Sequence, residues 1–126
     1  MVASAVSCSG SSCDNKGPVA TGCNADGRAI TSTEYDVWIM YSPACRAVWA
    51  LSYSTPLFNC VSLQIERAAY DGAVNLVVNR RLSIQFCPGE TKEWTNMLAT
   101  GNWYFRGVWN DTAQGHPDSY SPWVYK

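Results

Sequence analysis

Apolar and polar residues alternate in short runs through the middle of this chain, and the alternation predicts strands. Tyr35, Val37, Ile39 and Tyr41 share one parity, with Glu34, Asp36, Trp38 and Met40 on the other. Ser42-Pro43-Ala44 reads as a turn, after which Cys45, Ala47, Trp49 and Leu51 form the next apolar set. Val61, Leu63 and Ile65 alternate with Ser62, Gln64 and Glu66, the pattern of a half-buried strand. Tyr70-Asp71-Gly72 carries a hairpin signal, since short turns need the positive φ that glycine adopts freely. Val74, Leu76 and Val78 share a parity with Leu82, Ile84 and Phe86. That register turns Arg80 inward, so a turn or bulge at Asn79-Arg80-Arg81 is expected rather than one straight strand. Pro88-Gly89 ends the element, and residues 94–98 and 103–109 are expected to form a last hairpin across Thr100-Gly101-Asn102.

Strands separated by frequent turn signals, with no sustained helical period, give an all-β fold. The predicted architecture is a small disulfide-stapled β-barrel or a compact β-sandwich, with an irregular Cys-rich N-terminal segment. One domain spans 1–126. Within it, residues 6–32 pack on a β core of about 33–110, and 111–126 form a polar and aromatic tail.

Six cysteines, Cys8, Cys13, Cys23, Cys45, Cys60 and Cys87, stand in 126 residues. An even count in a short chain reads as a disulfide framework. No pair has the C-x-x-C spacing of a zinc knuckle, and the sole histidine, His116, lies far along the chain, so no metal is expected. If 61–66 and 74–86 are neighbouring strands, Cys60 and Cys87 fall at the same end of a sheet. Cys60–Cys87 is therefore the favoured pair, with Cys45 joined to the N-terminal cysteines. Ala3-Ser4-Ala5 has the small-residue pattern of a signal-peptide cleavage site, which together with the cysteines predicts a secreted, extracellular protein.

Net charge is −1 and the longest basic run is Arg80-Arg81, which argues against nucleic acid as a partner. No apolar stretch approaches the ~20 residues that a membrane-spanning helix needs. Nucleophilic catalysis would rest on His116 as the base, yet no Gly-x-Ser-x-Gly elbow accompanies it. Among the carboxylates, Glu34 and Asp36 share a strand face, and a solvated face accounts for them. Asn24-Ala25-Asp26-Gly27 and Asp14-Asn15 have the oxygen donors of a calcium loop without its full pattern, and turn chemistry accounts for the same residues. Asn110-Asp111-Thr112 matches an N-glycosylation sequon.

Cys8-Ser-Gly-Ser-Ser-Cys13, Gly17-Pro18-Val-Ala-Thr-Gly-Cys23 and Tyr41-Ser-Pro-Ala-Cys45-Arg-Ala-Val-Trp49-Ala50 resemble the YjfA-like family, and Trp94-Thr95-Asn96-Met97 is similar to a later motif of it. This is a bacterial domain of unknown function, frequent in secreted and membrane-linked proteins of actinobacteria. The resemblance implies a compartment and a source. It transfers no activity and no catalytic residue.

Six Trp and seven Tyr are the feature that leans towards function, because not all can face inward. Trp38, Tyr104, Trp109 and Trp123 are the candidate binding residues. The expected function is a non-catalytic binding domain for a cell-envelope glycan or an extracellular protein, without a cofactor. The alternative is a secreted effector, a protease inhibitor or small toxin component, presenting a stapled loop such as Thr55–Asn59.

Overall fold

The alternating segments assemble into two antiparallel sheets that share one core. The computed structural model describes residues 6–31, 36–72, 74–110 and 118–126. In the first sheet, β1 (Arg28–Ala29), β2 (Trp38–Ser42), β3 (Ala47–Ser52) and β6 (Glu93–Trp94) lie in that order, with β7 (Leu98–Ala99) also on β3. The second sheet runs β10 (Val124–Tyr125), β8 (Tyr104–Asn110), β4 (Val61–Asp71) and β5 (Asn75–Phe86), with β9 (Ser119–Tyr120) on β8. The sheets do not close into a barrel. Of the two predicted architectures, the layered one is what forms.

The core is built from the inward parity of both sheets. Val37, Ile39, Val48 and Ala50 meet Leu63, Ile65 and Phe105, with Leu98 beside them, all fully buried. Each large apolar side chain buried there stabilises the fold by roughly 1.5–3 kcal/mol. Close approach of the sheets depends on Gly107 of β8. A Cβ at that position would collide with Val37 Cγ2.

Strand β3 departs from the expected one-sided pattern, because all six of its residues are buried. Val48 and Ala50 face the inter-sheet core, whereas Ala47 and Trp49 pack against Cys8, Cys13, Cys23, Cys45 and Met97 on the opposite side. The set read as a core face in the sequence is thus covered by the N-terminal segment instead. That segment contains two short 3₁₀ turns, Gly10–Cys13 and Cys23–Asp26. Disulfides join Cys8 to Cys13 and Cys23 to Cys45, so Cys45 does tie into the N-terminal cluster. The four sulfurs lie within 4.8 Å of one another. Carboxylates complete the attachment. Asp26 Oδ1 accepts the Ser42 hydroxyl at 2.5 Å and Oδ2 the Ala44 amide at 2.9 Å. Asp14 Oδ1 accepts the Ala99 amide at 2.7 Å. The oxygen donors that suggested a calcium loop are engaged in these ties.

The β4–β5 hairpin forms where expected, with Gly72 at φ 64° and Cys60–Cys87 closing the far end. Register runs Arg67 opposite Arg80 and then Ala68 opposite Val78, which leaves Asn79 as the extra residue of a bulge. Arg80 does sit on the inward parity. Its guanidinium finds the Asp14 carboxylate at 3.5 Å.

One expectation needs correction. Residues 94–109 do not form a hairpin: β6 and β7 pair with β3 in the first sheet, while β8 pairs with β4 in the second. The turn at 100–102 therefore carries the chain from one sheet to the other. Within residues 118–126, part of the segment read as a polar and aromatic tail, β9 and β10 both add to β8. Among the described residues no helix is long and apolar enough to cross a membrane. Glu34 and His116 lie outside the described residues.

Candidate functional site

The outward parity of the second sheet collects residues that a solvent face does not require. Strand register sorts them into cross-strand rows. Val78, Ala68, Tyr104 and Tyr125 form one row, Arg81, Glu66 and Arg106 the next, then Ser83, Gln64, Val108 and Tyr120, and last Gln85, Ser62 and Asn110. The face thus grades from aromatic, through charged, to polar.

At the aromatic end, Tyr104 stands edge-on to Tyr70 at 5.3 Å between ring centres and tilted to Tyr125 at 4.9 Å. Tyr70 and Tyr125 are 53% and 57% exposed. Three phenol rings in contact, with their outer members open to water, make a ledge with apolar faces and polar edges.

The central row holds a buried charge. Glu66 is 2% exposed, and a carboxylate so buried needs hydrogen-bonded partners. Arg106 Nε donates to its Oε1 at 2.7 Å and Arg81 Nε to its Oε2 at 2.7 Å, with Arg81 Nη2 on the same oxygen. Two guanidinium groups on one carboxylate leave this cluster with a surplus positive charge. The guanidinium of Arg106 lies 4.3 Å from the Tyr120 ring centre and 4.5 Å from that of Trp123. Cation–π contact to both rings fixes their positions. Burial, and then the Asp118 carboxylate, push the Tyr120 phenol above its ordinary range. Its hydroxyl stays protonated and hydrogen-bonds to Asp118 Oδ2 at 3.2 Å.

The polar end opens into a hollow of about 360 Å³ lined by Ser62, Ser83, Gln85 and Asn110, with Cys60, Val61 and Ile84. Hydroxyl and amide groups there offer both donors and acceptors.

The four predicted binding residues separate. Tyr104 and Trp123 lie on this face. Trp38 belongs to the first sheet, half-buried and 5.1 Å from the Tyr53 ring. Trp109 is on the inward parity of β8 and packs against the core, and its indole N–H donates to the Ser54 carbonyl at 3.0 Å. That hydrogen bond braces the loop. Sequence reasoning missed Tyr70, Glu66, Arg81, Arg106, Tyr120 and Tyr125 as a group. Alternation along β4 and β8 held the signal for Glu66 and Arg106, but only strand order shows that they meet.

Two further features stand apart. The loop braced by Trp109 carries Leu57 and Phe58 at 79% and 78% exposure, next to the Cys60–Cys87 bridge. At the edge of the first sheet, burial first and a hydrogen bond with Glu90 second raise the Glu93 carboxyl above its usual range.

No curated protein and no solved structure matches this chain. Residues 11–86 match a family described as "Protein of unknown function (DUF2690)", a span that takes in three of the five strands of the first sheet and the β4–β5 hairpin of the second. On that match, the chain belongs to this family of uncharacterised proteins.

Proposed function

We propose that this protein is a secreted, non-catalytic module that binds a cell-envelope glycan on the outward face of its second sheet. The observation that carries the reading is the Tyr70–Tyr104–Tyr125 ledge beside a row of buried and half-buried charge. Flat phenol faces suit the apolar faces of sugar rings, and the neighbouring guanidinium, hydroxyl and amide groups suit their hydroxyls. Trp123, held against Arg106, extends the platform past the charged row. Three disulfides fit an oxidising compartment. The YjfA-like motifs favour an actinobacterial source.

A glycan array followed by calorimetry with Tyr104→Ala and Tyr125→Ala tests this. Each substitution should weaken binding by up to about tenfold, since a lost aromatic contact of about 1.5 kcal/mol has that effect. The unfolding midpoint of Tyr125→Ala should stay near that of the parent. Equal affinity in both variants would remove the ledge from the reading.

The exposed Leu57–Phe58 tip favours a second reading, a protein-binding loop of the inhibitor kind. A tip held by a disulfide and by the Trp109 hydrogen bond loses little entropy on docking. Inhibition of a protease panel that Phe58→Ala abolishes would establish it.

A further inference from the structure

We infer a second binding site, for a phosphate or carboxylate group, in the hollow between the N-terminal segment and the turn at Thr100–Asn102. It lies at another place on the molecule from the tyrosine ledge and does not rest on the glycan reading. The hollow has a volume of about 430 Å³, and Arg46 and Lys126 are its two cations. Ser11, Thr100, Asn102 and Tyr41 add hydroxyl and amide groups, and no acidic side chain lines the hollow. Among the described residues neither cation has an ion-pair partner. In a chain with ten acidic residues against nine basic ones, two cationic side chains in one concavity with no acidic side chain beside them make a field suited to an anion.

Backbone geometry supplies the second observation. Gly10, Arg46 and Asn102 all line the hollow with positive φ, 61°, 51° and 66°. Glycine and asparagine adopt this conformation readily, but an arginine there costs roughly 1 kcal/mol. A glycine at position 46 would relieve that cost, so the guanidinium is what this position contributes.

The walls are fixed in advance. The Gly10 amide donates to the Cys45 carbonyl at 2.7 Å, Thr100 to Arg46 at 2.9 Å, and Gly101 to Lys126 at 2.8 Å. Arg46 Nη2 meets a neutral partner, the Ser9 hydroxyl, at 3.4 Å. The Lys126 ammonium is held 4.5 Å from the Tyr41 ring centre, and Arg28 approaches the same ring at 5.8 Å. An anion entering the hollow would meet donors already in place, so little reorganisation opposes its binding.

The test is an amide-resolved NMR titration with sodium phosphate and, separately, sodium acetate, each against sodium chloride at equal ionic strength. Saturable shifts confined to Ser11, Arg46 and residues 100–102 are expected. Phosphate alone, acetate alone or both producing them would each support the site and identify the group it takes. In the Lys126→Gln variant the affinity should fall roughly tenfold, as for loss of one charge-assisted hydrogen bond. Arg46→Gly should lose affinity similarly while melting no lower than the parent, an outcome that a merely structural arginine would not give. Shifts that match those in chloride or spread over the whole surface would overturn the inference, as would unchanged affinity in Lys126→Gln.

Discussion

The two sheets present opposite outer faces. On the first, Trp49 is roofed by the N-terminal segment, its disulfides and the Asp14 and Asp26 ties. On the second, tyrosines face outward beside a Glu66 buried between Arg81 and Arg106, with no disulfide-tied segment over them among the described residues. Strand physics is the same on both sides, so the difference lies in what covers each. The covered face adds stability through burial of apolar area. The open face retains aromatic and charged groups whose burial it does not need, which is what a binding surface requires.

Removing the roof should give the largest effect. Cys23→Ala with Cys45→Ala opens a bridge spanning 22 residues and should cost about 3 kcal/mol. Thermal melts should show the loss, and a hydrophobic dye should bind the exposed Trp49 face. Any ligand of the open face should bind as before in the cold, because that face shares no residue with the roof.

Breaking the open face comes next. Glu66→Ala leaves Arg81 and Arg106 without their shared carboxylate, a loss of about 2–3 kcal/mol once the half-exposure of Arg81 is allowed for. Urea unfolding should record it. Near-UV circular dichroism should also change, since Trp123 and Tyr120 lose the fixed guanidinium between them. An unchanged spectrum would show that the rings hold Arg106 rather than the reverse.

Between the faces lies Gly107. Gly107→Ala forces Val37 away and should cost about 1–3 kcal/mol without altering either outer surface. Destabilisation with intact binding would separate sheet packing from the site.

The smallest effect is signed by pH. Glu93 has a carboxyl pKa raised in the fold, so its ionisation opposes folding as pH rises through the raised value. Glu93→Gln should therefore raise the melting point slightly at neutral pH and leave it unchanged in acid, where the carboxyl is protonated in both states. Asp26 behaves oppositely. The Ser42 hydroxyl, more than any other group, lowers its pKa, so the stability it adds is present at neutral pH and is lost as pH falls through that lowered value.

Much of the fold was legible because alternation is a local property. Val61, Leu63 and Ile65 read as a buried face and are one, and the Cys60–Cys87 pairing followed from the hairpin beside them. Failures came where long-range pairing decides. Nothing local to Trp94 says that it joins Leu51 and not Trp109, so the last hairpin was assigned to neighbours in sequence. The candidate face was less legible for the same reason. Tyr104 and Trp123 stood out as aromatics, but Glu66 looked like any solvent-side carboxylate until β5 and β8 brought an arginine to each side.

The bulge at Asn79 has a consequence for association. Strand β5 is the outermost of its sheet among the described residues, twelve residues long, with Val77 and Ile84 exposed. A long, regular, apolar border of this kind invites a second chain to zip along it. The extra residue shifts the hydrogen-bonding register midway, and Arg80 and Arg81 place charge beside the break. An incoming strand can match one half of β5 or the other, not both, and the interruption guards the protein against fibrillar self-assembly.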